Sequence, residues 1–413
     1  MFIVLVVRTT NQKIWKVEQN QMSESLAFRS PSETFDVAVV GAGIVGLANA
    51  WMAAARGLRV VLLERSPLAT GASVRNFGMV WPIGQPAGER YQMALRSREL
   101  WMHLGEHADV WVNRCGSLHL AHHDDEWSVL QEYVQQNESV GNGVELFDPE
   151  QTMRKTSAAQ PTGLRGAMWS PAELCVNPPQ AIARIPGWLE ATYQVECRFN
   201  TAVSHIDGNR LLASDGRSWQ ADQIVVCSGS DFQTLLPEAF REIDLKVCKL
   251  QMMRTSAQPD GWRLGPHLAS GLTLRHYESF LQCPSLPRLQ QRIQEESPEL
   301  DRFGVHVMAS QNELGQVVLG DSHEYEQTDS PFDKTMIDRL ILREVQKQFQ
   351  LPSWDIEARW HGVYAKFPGN VIYSAQPQPG VRVCVAPGGA GMTMSFGWAD
   401  QFWKEQTSQE MEI

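Results

Sequence analysis

One stretch, Phe35 to Glu64, limits what this chain can fold into more than any other. Phe35 to Val40 (FDVAVV) is mostly apolar, as expected of a buried parallel strand. Gly41-Ala42-Gly43-Ile44-Val45-Gly46 follows at once. The apolar, alanine-rich run from Leu47 to Arg56 then reads as a helix, with Gly57 at its C-cap. A second strand, Leu58 to Leu63, ends on Glu64. A glycine pattern alone is weak, but here the strand, turn, helix, second strand and terminal acid all occur within about 30 residues. Gly41 permits the tight turn, Gly43 lets the backbone approach a pyrophosphate, and Gly46 lets helix and strand pack closely. The helix N-terminus offers N–H groups to phosphates. Glu64 can accept hydrogen bonds from ribose hydroxyls and repels a 2′-phosphate, so NADP is disfavoured. The unit predicts dinucleotide binding.

The rest of the chain sets the scale. Its 413 residues allow two or three domains. The net charge of -11 argues against a nucleic-acid partner. It leaves room for a local basic pocket that takes an acidic substrate. No apolar run approaches the roughly 20 residues of a membrane span. The closest pair of the 7 cysteines, Cys227 and Cys248, is 21 positions apart, so no metal or redox spacing exists. Reduced thiols in a cytoplasmic protein are expected. Residues 1–34 read as a mobile extension. Their apolar Phe2 to Val7 is a poor signal peptide, and Met22 is a candidate start.

Two later segments bear on which dinucleotide is bound. Ala202 to Ile206 is a short strand, and a turn at Asp215-Gly216 leads to the strand Ala221 to Ser230, which runs into Cys227-Ser228-Gly229. Near the far end, the strand Val381 to Ala386 runs into a loop that is rich in glycine from Gly388 to Gly397 and then into a helix. Gly41 to Gly46 with Glu64, Ala69 to Ser73, the Cys227-Ser228-Gly229 turn and the terminal glycine loop together resemble the D-amino-acid oxidase superfamily of FAD-dependent oxidoreductases. That superfamily includes glycine oxidase and sarcosine oxidase. The resemblance covers Phe35 to about Trp403. More narrowly, Ser73 to Gln85, Gly320 to Tyr325 and the terminal GGAGMTMSFG resemble a subgroup associated with aminophosphonate breakdown.

The resemblance implies an α/β fold, α+β overall, in which a mostly antiparallel substrate domain is inserted into a Rossmann-like FAD domain. The expected FAD domain is 35–114, 176–244 and 356–404, the substrate domain is 115–175 and 245–355, and the tail is 405–413. Expected cofactor contacts are Gly41, Ala42, Gly43, Ile44, Val45, Gly46, Glu64, Arg65, Ser73, Val74, Arg75, Asn76, Val203, Cys227, Ser228, Gly229, Gly388, Gly389, Gly391, Met392 and Thr393. Some relatives attach FAD through a His or Cys. Residues 73–78 contain no His and Cys384 lies in a strand, so non-covalent FAD is expected.

The implied reaction oxidises the C–N bond of a small anionic amine to an imine, which water splits to an aldehyde or oxo acid and an amine. Molecular oxygen is the expected acceptor. Passing electrons to a quinone or carrier, an NAD enzyme, and a non-catalytic flavin-binding partner protein are the alternatives. Such chemistry needs an anchor for the anion more than an acid–base triad. Gly271 to Gln282 alternates like a strand, placing Arg275 and Tyr277 on one face and His276 on the other. Arg275, Tyr277, His276 and Trp360 are candidate substrate contacts, with a solvated strand face or ordinary packing as the alternative. Tyr364, Lys366 and Lys249 are candidate catalytic groups, since a lysine near flavin N5 promotes reoxidation in relatives. Asp321, Ser322 and His323 form a polar turn. His122 to Asp125 are consecutive loop residues and make a poor metal set. No metal is expected, and the oligomeric state stays open.

Overall fold

The structure, a computed structural model, describes residues 34–138, 142–326 and 330–410. The expected extension, apart from Thr34, and the end of the tail lie outside these residues. The elements that build the site are, in chain order, β1 (Thr34–Val40), α1 (Ile44–Ala54), β2 (Val60–Leu63), β3 (Ser218–Val226), β4 (Lys246–Ala257), β5 (Met308–Gln311), β6 (Gln316–Gly320), α2 (Thr335–Gln348), β7 (Ile356–Lys366), β8 (Val381–Val385) and α3 (Gly391–Glu410).

Among the described residues the strands form one eight-stranded, one nine-stranded and one small three-stranded sheet. In the first, β1 runs parallel to β2 on one side and β3 on the other, and β8 runs parallel to β3. β2 and the C-terminal halves of β1 and β3 (Val37–Val40, Ile224–Val226) are apolar because both faces are covered there. Helices α1 and α3 cross against one another beneath the sheet. Leu47, Trp51, Phe396 and Trp403 are buried between them, and the Trp403 indole N–H donates to Asn49 Oδ1 at 3.1 Å.

The second sheet is antiparallel except where His267–Ala269 runs parallel to Ser117–Ala121. Next to one edge of it lies β4, which pairs with β6 on one side and with the edge strand β7 on the other. The fold class therefore agrees with the sequence reading.

Three expectations change. Gly271 to Gln282 is no strand; 3₁₀ turns occupy Gly271–Arg275 and Glu278–Phe280. Leu272 and Leu274 are apolar because the turn itself is buried, and the backbone closes locally, with Thr273 N–H on Ser270 O and His276 N–H on Thr273 O. The face assignment of Arg275, His276 and Tyr277 falls with the strand. The boundary at 356 also shifts, because β7 hydrogen-bonds along β4 from Ile356 to Lys366 and so belongs to the second sheet. His122 to Asp125 lead into a helix, Asp124–Asn137, with His123 at its N-cap, rather than forming a loop. No helix among the described residues is long and apolar enough to cross a membrane.

That helix is tied by charge to another, Leu286–Glu296. Arg292 Nε donates to Asp125 Oδ2 at 2.7 Å and its Nη2 to Glu126 Oε1 at 3.0 Å. Both acids are buried. Burial works to raise Asp125, but the Arg292 hydrogen bond and charge win and its pKa is lowered. A lowered carboxylate contributes stability above its unfolded pKa and loses it as pH falls. Arg292→Ala strands two buried acids and is expected to cost about 3–5 kcal/mol in urea denaturation. The loss should shrink as the pH approaches the carboxylate range; a loss independent of pH would refute the assignment.

Candidate active site

The site begins where β1 ends. Gly41 has φ +103°, and a Cβ there would lie 2.4 Å from Cys227 O. A Cβ on Gly46 would lie 1.8 Å from Gly41 O. Only glycine allows turn, helix and β3 to close together. The result is an α1 N-terminus opening on a cavity, with the Ser73 hydroxyl accepting from Ile44 N–H at 2.9 Å. Glu64 is buried and bridges the turn: Oε2 accepts from Ala42 N–H at 2.9 Å and Oε1 from Ser66 N–H at 3.0 Å. Arg65 beside it pairs with Asp231 at 2.9 Å.

The other junction is built from β8 and α3. Gly388, at φ +62°, packs on the Lys366 side chain, and Gly389 faces the Tyr364 hydroxyl. The first turn of α3 is fixed from outside. Thr393 Oγ1 accepts from Trp81 N–H at 2.9 Å, and Trp101 Nε1–H donates to Met392 O at 2.8 Å. Its leading N–H groups and the positive end of its dipole stand at the cavity wall.

A loop joins the two sheets over this space. Arg75 Nη1 donates to His361 O at 3.2 Å, and Trp360 Nε1–H donates to Arg75 O at 3.4 Å. A Cβ on Gly362 would lie 3.2 Å from Arg75 O, so β7 presses directly on this loop. The Asn76 amide is occupied in shaping it, donating to Ala72 O and Ser73 O and accepting from Gly78 N–H. Ser310 Oγ donates to Phe77 O at 2.6 Å.

A cavity of about 900 Å³ runs from the Gly41 turn past the α3 junction to the second sheet. Of the expected cofactor contacts, it is lined by Gly41, Gly43, Ile44, Val45, Gly46, Glu64, Arg65, Ser73, Arg75, Asn76, Val203, Cys227, Ser228, Gly229, Gly388, Gly389, Gly391, Met392 and Thr393. Ala42 contributes its N–H to Glu64, and Val74 packs into the apolar core. Of the expected substrate and catalytic groups, His276, Tyr277, Tyr364 and Lys366 line the cavity.

Three candidates do not. The Arg275 guanidinium turns away to Asp301 and to Val305 O, the latter at 2.9 Å. Burial and the nearby Arg292 lower its pKa to about 10. Lys249 lies on the opposite face of β4 from Leu250. Its ammonium donates to Ser330 O and Phe332 O, both at 2.7 Å, and pairs with Asp333 at 2.9 Å. Trp360 sits behind the loop, on the Arg75 carbonyl.

Sequence reasoning missed His306. It stands just before β5 with no motif around it, and it joins His276 and His323 at the far end of the cavity. The ring centroids of His276 and His306 are 4.2 Å apart, and those of His306 and His323 are 4.9 Å apart. His306 Nε2 lies 3.2 Å from Asp321 Oδ1. Burial holds all three imidazoles below their ordinary pKa and raises Asp321. Tyr364 is likewise raised by burial, with the Cys248 and Tyr325 side chains reinforcing it. This end of the cavity is therefore polar, and burial works against charge on its imidazoles and its carboxyl group.

The described features fit one cofactor: two glycines that cannot carry a Cβ, a buried acid on the turn, and a second helix N-terminus facing the same cavity. The Ser228 hydroxyl on the wall has no partner. Comparison with known proteins agrees. The profile of a family described as DAO, FAD dependent oxidoreductase, matches residues 36–402. The chain belongs to that family.

Glycine oxidase from Geobacillus kaustophilus (strain HTA426) is 25% identical over 208 residues, which are 48% of this chain and 55% of that protein. The tRNA 5-methylaminomethyl-2-thiouridine biosynthesis bifunctional protein MnmC of Aeromonas salmonicida is 26% identical over 222 residues, 51% of this chain and 32% of that one. The chain thus spans from about a third to about half of the length of these curated relatives. In structure, glycine oxidase from Geobacillus kaustophilus superposes with a TM-score of 0.70 at 18% identity, covering 91% of this chain and 95% of the other. L-proline dehydrogenase from P. horikoshii gives 0.73 at 17% identity, with 92% and 95% covered. At these identities the likeness is one of fold.

FAD is the cofactor of this family. Here the Gly41–Gly46 turn, Glu64, Ser228 and the start of α3 are the groups that would hold it. Gly46→Ala forces the new methyl into Gly41 O, so the purified variant is expected to be colourless or to hold far less flavin per chain by absorbance. Full flavin occupancy in that variant would overturn the placement.

Proposed function

We propose that this protein oxidises the C–N bond of a small anionic amine, an amino acid or an aminophosphonate, N-methylated or not. The observation that carries the reading is the continuity of the cavity. One space reaches from the nucleotide turn past the α3 junction to a walled, polar end under the second sheet. The two strings that resemble the aminophosphonate subgroup meet there. Phe77, from Ser73 to Gln85, lies against Gly320, and Asp321 and His323 follow Gly320 into the wall.

FAD, when bound, supplies the acceptor for the hydride equivalent that leaves the carbon beside the amine. The chain's own groups position and shield. Leu250 and Met252 of β4 give the roof an apolar surface that keeps water from the reacting carbon. Tyr364 stays protonated by burial and is a neutral donor beside Gly389. Lys366 brings a cation to Gly388, where α3 already presents its positive end, so negative charge gathering at this junction is stabilised. Water then splits the imine product to an aldehyde or oxo acid and an amine.

Oxygen is the proposed final acceptor, with Lys366 as the group that promotes its reduction. Non-covalent attachment is favoured because burial raises the two cavity cysteines, Cys384 to about 12 and Cys227 well above the ordinary range. Neither offers a thiolate. The seven free thiols suit a reducing compartment such as the cytoplasm.

The test is an anaerobic screen in which flavin colour is followed with glycine, sarcosine, D-amino acids and aminoalkylphosphonates. At least one should bleach the flavin; no bleaching by any of them would sink the reading. Bleaching by carboxylate amines alone would remove the phosphonate part. Lys366→Met should slow reoxidation by oxygen about tenfold or more, while anaerobic reduction changes little. Equal reoxidation rates would remove Lys366 from that step. Acid denaturation should release the flavin into solution.

A further inference from the structure

We propose that His276, His306 and His323 form the seat for the anionic group of the substrate, and that they hold a doubly charged oxyanion by taking up protons as it binds. This rests on reading the cavity as the site of amine oxidation.

The three rings come from separate elements: the turn after Gly271–Arg275, the residue before β5, and the loop after β6. They converge on the cavity wall. His276 Nε2 and His306 Nδ1 are buried and have no hydrogen-bond partner. His323 Nδ1 lies 3.3 Å from Gly304 O. That contact fixes the tautomer in which Nδ1 carries the proton. Buried polar atoms left without partners cost free energy unless a ligand or water meets them.

The planes of His306 and His323 differ by 16°, and those of His276 and His306 by 30°. One ring nitrogen from each of the three lies within 4.8 Å of the others. Once protonated on both nitrogens, the rings offer N–H donors to the oxygens of a single oxyanion.

The surrounding charges point the same way. Arg275, the fixed cation expected to grip the anion, is held by Asp301 and Val305 O outside the cavity. It and Lys366 bias the imidazoles toward neutrality. His323 is lowered by burial to about 4. The one acid in the group, Asp321, is 3.2 Å from His306 and 3.8 Å from His323, and burial drives it toward its uncharged form. Tyr277, Tyr325 and Tyr364 are raised and remain neutral. Burial therefore disfavours the charged form of each imidazole and of Asp321 alike. An arriving anion favours the protonated imidazoles, so their pKa values rise on binding. Protons are taken up in the window between the free and bound values, and affinity strengthens as pH falls through it. A doubly charged group gains more from this than a carboxylate does, which makes the seat selective.

Sulfate is the probe, because its charge stays constant across the range tested. It is titrated into the yellow holoenzyme while the flavin spectrum is followed. Affinity should strengthen as the pH is lowered, by up to about tenfold per pH unit for each proton taken up. Acetate should bind more weakly and with a shallower slope. His306→Asn keeps a donor but cannot take a proton, so it should flatten the sulfate slope while the protein stays yellow. His276→Asn, at a half-buried position, gives the same readout should the first variant fail to fold.

A flat slope in the unmodified protein, unchanged slopes in the variants, or equal binding of acetate overturns the proposal. So does a bound transition metal whose removal by chelator abolishes sulfate binding. If amines bleach the flavin but the sulfate slope is flat, the seat alone is wrong. If sulfate binds with proton uptake but no amine bleaches the flavin, amine oxidation alone is wrong.

Discussion

The rest of the structure depends on a backbone contact that no side chain could survive. Gly46 lies so close to Gly41 O that a methyl group would overlap it, and a methyl group on Gly41 would likewise collide with Cys227 O. This contact draws α1, β1 and β3 into one corner. Cys227 N–H closes it by donating to Val40 O at 2.8 Å. Everything placed for phosphate and ribose follows from that corner: the open N-terminus of α1, the buried Glu64 across the turn, and the unpartnered Ser228.

The second constraint is a bridge. β7 is hydrogen-bonded into the substrate sheet, yet the chain leaves it to form β8 within the nucleotide sheet and then α3 against α1. Tyr364 and Lys366 ride on this strand to the α3 junction, while Gly362 and Trp360 press on the loop at Arg75. The roof, the loop and the second helix N-terminus are therefore positioned by a single strand. This is why groups far apart in sequence share one cavity.

Burial decides the chemistry of the far end. Arginine would have given a permanent charge, but Arg275 is turned to Asp301. The imidazoles lining the cavity are disfavoured in their charged form by desolvation, beside a carboxyl group subject to the same effect. On the proposed reading, the charge of this end is set by what enters it.

The nucleotide half was legible in the sequence because its logic is local. The strand, the glycine turn, the helix and Glu64 are consecutive, and each glycine answers a backbone need that neighbouring residues already imply. The late junction at Gly388 was legible for the same reason. The substrate half was not. The alternation of Gly271 to Gln282 resembled a strand because Leu272 and Leu274 are buried, and burial looks the same in a 3₁₀ turn. Lys249 and Lys366 were equal candidates as residues on strands. Pairing of β4 with β7 sent Lys249 to Asp333 and Lys366 to Gly388. His306 carried no local mark at all. Sequence alone determined the cofactor corner, because the forces there act between near neighbours along the chain. Only the tertiary structure decided which charges reach the substrate, because strand pairing and burial over long separations choose which face each side chain takes and whether it keeps its charge.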